Sequence, residues 1–139
     1  MYSQNNLGGN TEKWFAEGVR LFNRQRYFEA HEAWEEVWTP SRDPARRFLQ
    51  ALIHFAVGLH HLERGNAVGA QRQFGKGLAK GEPYRPNWAG VNLERIASEI
   101  EGLIEDSSNT RRARIEWSKQ KLEKGEGWPI LGGPPPQAP

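Results

Sequence analysis

The chain has 139 residues, 37% of them hydrophobic, which is one domain's worth and enough to bury a core without staples. It has no cysteine, so disulfides and thiolate chemistry are excluded and any metal would need His, Asp or Glu ligands. The net charge of +2 is mild, and the longest apolar run, around Leu52 to Leu59, is broken by His54 and too short to span a bilayer. The first residues lack the charged start, apolar stretch and small-residue cleavage site of an export signal. The expectation is a soluble, cytoplasmic chain with no membrane partner.

The elements read as helices in chain order. Residues 1–10 form a flexible start, and a first helix begins at a cap on Asn10 or Thr11 and runs to about Asn23. A short break leads to a second helix from Tyr27 to Trp38, stopped by Thr39-Pro40-Ser41. Asp43-Pro44 supplies a cap and a first-turn proline for a third helix that reaches Arg64. Gly65-Asn66 ends it and caps a fourth, from Ala67 to Lys80. A loop with two prolines, Gly81 to Asn87, precedes a fifth helix over Val91 to Glu105. After Ser107-Ser108-Asn109 the pattern predicts a final basic helix ending at Gly125. Residues 126–139, rich in Pro and Gly, read as an extended or disordered tail.

Residues 111–124 hold Arg111, Arg112, Arg114, Lys119, Lys121 and Lys124, and they follow an acidic segment with Glu94, Glu99, Glu101, Glu105 and Asp106. Such stretches can pair with each other or attract an anionic partner. No RNA- or DNA-binding motif accompanies them, which argues against nucleic acid. Ala30 and Ala70 hold matching places 40 residues apart, each after a helix and a tight turn. That is the layout of tetratricopeptide-type helix pairs, although those repeat at about 34 residues. The fold class expected is all-α: a compact helical bundle with tetratricopeptide-like pairs and five to six helices, one domain over residues 11–125.

The second and third helices carry all four histidines. At about 100° per residue, with His31 at zero, Glu35 falls near about 40°, Trp38 near about 340° and Trp34 near about 300°. His31 and Glu35 therefore share the side of Phe28, Trp34 and Trp38, while Glu29, Glu32 and Glu36 form a solvated edge. On the third helix Gln50, His54 and His61 form one polar stripe on an otherwise apolar cylinder, and such a stripe in a buried helix needs partners. His31 and Glu35 are the natural ones, which predicts a buried His/Glu cluster between the two helices. His60 points elsewhere, to a packing or hydrogen-bonding role. Trp88 and Trp128, beside prolines, are candidates for an exposed partner surface.

Three readings of the cluster stay open. One is a structural hydrogen-bond network that fixes helix register. The second is a divalent metal site, zinc or a similar ion, with His31, Glu35, His54 and His61 as ligands and Glu32 of the His-Glu-x-x-Glu run as general base. The third is a metal-free small-molecule site with Glu35 and a histidine acting as acid and base. No glycine-rich phosphate loop follows a strand, and no Gly-x-Ser-x-Gly turn is present.

Glu29-Ala30-His31-Glu32 with Trp34, Glu35 and Trp38, then Phe48-Leu49-Gln50-x-Leu52-Ile53, then Leu59-His60-His61-Leu62-x-Arg64-Gly65-Asn66 resemble the helical family called domain of unknown function 309. The resemblance covers roughly Phe15 to Leu78. It implies a small all-helical protein, of a kind often labelled a predicted metal-dependent hydrolase, with His31, Glu32, Glu35, Gln50 and His61 at the motif positions. A glutamine is expected at the place of His54, which shrinks the implied metal set to His31, Glu35 and His61. Two functions are thus in play: a metal- or ligand-binding protein with hydrolase chemistry, or a non-catalytic helical interaction module with a protein partner or a second copy.

Overall fold

The computed structural model describes residues 7–108 and 113–118. Five helices run in order: α1 (Leu7–Asn23), α2 (Tyr27–Trp38), α3 (Ala45–Glu63), α4 (Ala67–Gly81) and α5 (Leu93–Glu105). A 3-10 turn (Glu82–Tyr84) and a two-stranded hairpin, β1 (Asn87–Trp88) and β2 (Val91–Asn92), link α4 to α5. The expected all-α architecture is present. No helix among the described residues is long and apolar enough to cross a membrane.

The two helical hairpins, α1–α2 and α3–α4, are built on one plan with an offset of 40 residues. Gln25 and Gly65 both take left-handed φ, +65° and +78°, and so reverse the chain at equivalent places. The hydrogen bonds of the turns match as well. Arg26 N donates to the Leu21 carbonyl and Asn66 N to the His61 carbonyl, while Gln25 N reaches Phe22 O and Gly65 N reaches Leu62 O. The close approach between helices is also duplicated. A Cβ on Gly18 would lie 2.1 Å from Trp34 Nε1, and one on Gly58 would lie 2.6 Å from the Phe74 ring. In each hairpin, therefore, a glycine on the first helix leaves room for an aromatic ring of the second. Phe15 and Phe55, and Ala30 and Ala70, occupy equivalent buried positions.

The core runs through both hairpins and under α5, and Phe15, Phe22, Trp34, Phe48, Phe55, Leu59, Phe74, Leu93 and Ile96 are all fully buried. Each such side chain contributes about 1.5–3 kcal/mol relative to exposure. Where α2 meets α3, the Arg46 guanidinium lies 3.7 Å over the Trp38 ring and donates to the carbonyls of Trp38 and Ser41. Trp88 is half-buried, not a free surface: its ring centroid sits 4.8 Å from that of Phe48 and 5.0 Å from that of Tyr84.

Three stretches depart from the sequence reading: α1 begins at Leu7 and not after a cap at Asn10 or Thr11, Val91 and Asn92 form β2 where the fifth helix was expected to open, and the third lies after α5. Residues 113–118 are extended where a basic helix was expected; residues 119–125 of that helix, the tail over 126–139 and Trp128 lie outside the described residues. The segment 113–118 bridges β2 at Val91–Trp117, and Asn92 N and Ser118 N bond to the carbonyls of Glu116 and Gly90. Its far side is clamped to α1. Asn23 Nδ2 donates to the Ile115 carbonyl at 2.9 Å, and the Ile115 amide donates to Asn23 Oδ1 at 2.7 Å. Ala113 and Ile115 are buried and the Trp117 ring stands edge-on to Phe15 at 5.2 Å, while Arg114 and Glu116 are exposed. Inward and outward residues alternate as they must on a strand. Gly90 is needed twice, for its φ of +80° and because a Cβ there would meet Ser118 O at 2.4 Å. The strap thus ties α1 to the β-hairpin and, through the Arg95–Glu116 ion pair and the Arg114 N to Glu99 bond, to α5.

Candidate functional site

The buried His/Glu cluster expected between α2 and α3 is not formed. On α2 the side chains that face the core are Tyr27, Ala30, Ala33, Trp34 and Val37, and the direction they share lies roughly 100° from His31 on the helical wheel. The small residues Ala30 and Ala33 are buried on this side, whereas Phe28 is exposed and Trp38 half-buried. His31 therefore sits at the boundary with its side chain 17% exposed, and Glu35, one step further round, is 50% exposed. Glu32 is exposed as well.

Local bonds, not a shared centre, hold three of the four imidazoles, those of His31, His54 and His61. His31 Nδ1 stands 3.0 Å from the Phe28 carbonyl, which can only accept, so Nδ1 carries the proton; Nε2 lies 3.4 Å from Glu35 Oε1. His54 turns the other way, to α4, where its Nδ1 meets Gln73 Oε1 at 2.7 Å. Burial lowers its pKa; the Gln73 bond opposes this, and the charges of Lys80 and Lys76 add to it. His61 Nδ1 accepts from Asn66 Nδ2 at 3.4 Å, while Asn66 Oδ1 caps α4 by accepting from Gly69 N. Gln50 is half-buried on α3.

His60, assigned by its wheel position to another side, is the residue that joins the helices. Its ring centroid is 5.2 Å from that of Phe28, whose other neighbour is His31 at 5.0 Å. His61 continues the row at 6.4 Å from His60. Antiparallel packing explains the meeting, since the first turn of α2 lies against the last turn of α3. Phe28, at 48% exposed, is the centre of this row. It is the functional candidate that the sequence reading missed, having been placed with the core aromatics. The available signal was its position on the first turn, opposite the adjacent histidines that end α3.

Tyr27, next to Phe28 in the chain, is a second polar feature of the first turn of α2. The Tyr27 hydroxyl is buried without a hydrogen-bond partner, and burial together with the nearby Glu63 charge pushes its pKa up to about 12. Burial raises the Glu63 carboxyl too, with the His60 charge opposing. Tyr27 is thus a neutral packing residue at ordinary pH.

The described residues, as placed, form no ready-made metal centre. Among the described residues no three His, Asp or Glu side chains stand close enough to hold one ion. His31 and Glu35 share a contact, but His54 bonds to α4 and His61 to Asn66, so each would need to leave its partner to complete a set. The arrangement offers instead a partly exposed aromatic ring, flanked by two imidazoles, at one end of a doubled helical hairpin.

No curated protein matches the chain. Residues 15–73, from α1 into α4 and so across both hairpins and the whole aromatic row, match the model of the family described as Domain of unknown function (DUF309).

Proposed function

We propose that the protein is a non-catalytic helical interaction module that meets a protein partner through the surface centred on Phe28. The observation that carries the reading is the placement of Phe28, 48% exposed between the rings of His31 and His60. An aromatic side chain left in water forgoes much of the roughly 1.5–3 kcal/mol that burial would contribute. Partly exposed aromatics held by neighbouring rings are the residue type that anchors protein interfaces. Stacked helical hairpins are in turn a scaffold that presents such residues on a rigid face.

The hydrolase reading draws no support from this geometry. Glu32 as general base would need a metal-bound water, and the ligands proposed for that metal, on α2 and α3, turn to different partners, His54 to Gln73 of α4 and His61 to Asn66. His31, Glu35, His60 and His61 serve instead as the polar border of Phe28.

The test is site-specific photo-crosslinking in cells. With p-benzoylphenylalanine at position 28, a discrete crosslinked species is expected; with the same group at the exposed Glu105 of α5, none. Equal yields from the two positions would refute Phe28 as an interface.

A further inference from the structure

The repeated hairpins carry opposite charges on equivalent faces. With the 40-residue offset, the stripe Phe28-Glu32-Glu36 of α2 corresponds to Val68-Arg72-Lys76 of α4. Residues at i, i+4 and i+8 form one line along a helix surface. Each line begins with an apolar side chain left in solvent, Phe28 at 48% and Val68 at 64% exposed. Each continues with two charges, acidic on α2 and basic on α4. Glu32, Arg72 and Lys76 are exposed and Glu36 is half-buried, and none of the four is in an ion pair among the described residues. The basic side is reinforced by composition: from Arg64 to Gly81 the chain has no acidic residue and also carries Lys80.

We infer that the partner of this surface is a second copy of the same chain, with the α2 face of one copy set against the α4 face of the other. This rests on the reading of the protein as an interaction module and names its occupant. Parallel, in-register packing puts Phe28 against Val68, Glu32 against Arg72 and Glu36 against Lys76. Antiparallel packing would put Phe28 against Lys76 and Glu36 against Val68, leaving charges opposite apolar groups. Gly75 favours the same contact. It lies mid-helix with open space where its Cβ would be, so no packing need explains it, and it lowers the relief of α4 beside Arg72 and Lys76. Because each copy has both faces, two such contacts made reciprocally close a dimer.

Charge reversal tests the pairing in the full-length chain. Molar mass would be measured by light scattering and sedimentation at about 0.01 M salt, where the Debye length is roughly 30 Å, and at about 1 M, where it is roughly 3 Å. The wild type is expected to rise from 15.9 kDa towards twice that mass at low salt and to return to monomer at high salt. E32K/E36K makes both faces basic and R72E/K76E makes both acidic, so each alone should be monomeric, while an equimolar mixture should associate. Circular dichroism of each variant checks that the helices persist. If a variant fails to fold, the single changes Glu32→Lys and Arg72→Glu give the same complementation readout.

A wild type that stays monomeric overturns the inference, as does an association indifferent to the reversals. A monomer that binds an RNA oligonucleotide through Arg72 and Lys76 would also overturn it, assigning the α4 face to nucleic acid. Crosslinking of a different protein at position 28 alongside a monomeric wild type would keep the interaction-module reading and remove only the self-association.

Discussion

Replacing Asn23 with alanine isolates the contact that fastens the strap to α1. The side chain makes two hydrogen bonds to one residue, donating to the Ile115 carbonyl and accepting from its amide. Each is worth about 1 kcal/mol net, and leaving both part-buried backbone groups unpaired adds a desolvation cost of about 1 kcal/mol. The expected loss is therefore about 2–3 kcal/mol. For a chain of this length that lowers Tm by roughly 8–12 °C. Bonds to Gly90, Asn92 and Arg95 remain, so the strap should loosen without leaving. Urea denaturation gives the free energy, and amide hydrogen exchange gives the location: the Ile115 amide should exchange much faster while the Phe55 amide of α3 follows only the global change. A loss below about 0.5 kcal/mol with Ile115 exchange unaltered would refute the clamp and with it the extended course of residues 113–118.

Four further outcomes follow from the same structure. Gly18→Ala should destabilise by about 1–3 kcal/mol or more in thermal melts, because its Cβ would overlap the fully buried Trp34 ring. Gly75→Ala, with open space at that site, should raise stability by roughly 0.5–1 kcal/mol through helix propensity alone. His54 has a lowered folded pKa, so the unfolded chain binds the proton more readily; its contribution to stability is full above about pH 6.5 and is lost as pH falls through the folded value. The acid limb of the stability curve should therefore flatten in His54→Gln. Tyr27 and Tyr84 are both raised by burial to about 12. Their stabilising effect is complete below about pH 10 and lost as pH climbs through 12, so an ultraviolet titration should show them ionising late, together with alkaline unfolding.

Helix boundaries were legible wherever local chemistry sets them. The second helix runs over the expected residues, Tyr27 to Trp38, and Asn66 caps the fourth through Gly69 N. The fifth begins at Leu93, because Val91 and Asn92 are taken into the β-hairpin and Asn92 serves as the cap. The 40-residue repeat was visible in Ala30 and Ala70, and Gly18 with Trp34 against Gly58 with Phe74 give it its physical basis. The strap was hidden because Ala113, Ile115 and Trp117 alternate with Arg114, Glu116 and Ser118 over only six residues, within a basic stretch that also suits a helix. At the candidate site the wheel angles held, but the weight given to the large aromatics turned α2 towards them. The buried Ala30 and Ala33, which sequence patterning ranks low, share the inward direction with Tyr27, Trp34 and Val37. The meeting of Phe28 with His60 depends on tertiary contact between α2 and α3, and its one trace in the sequence is the place of Phe28 on the first turn of α2 and of His60 and His61 on the last turn of α3.

Metal content tests most directly whether His31, His54 and His61 serve separate local bonds or one shared centre. The full-length chain, purified without tag or chelator and offered zinc, manganese, iron and nickel in turn, would be analysed by mass spectrometry beside His31→Ala and His61→Ala. The dispersed arrangement predicts substoichiometric metal with no difference between wild type and either variant. Near-stoichiometric metal in the wild type that is lost in both variants would contradict it and restore His31, Glu35 and His61 as a metal site.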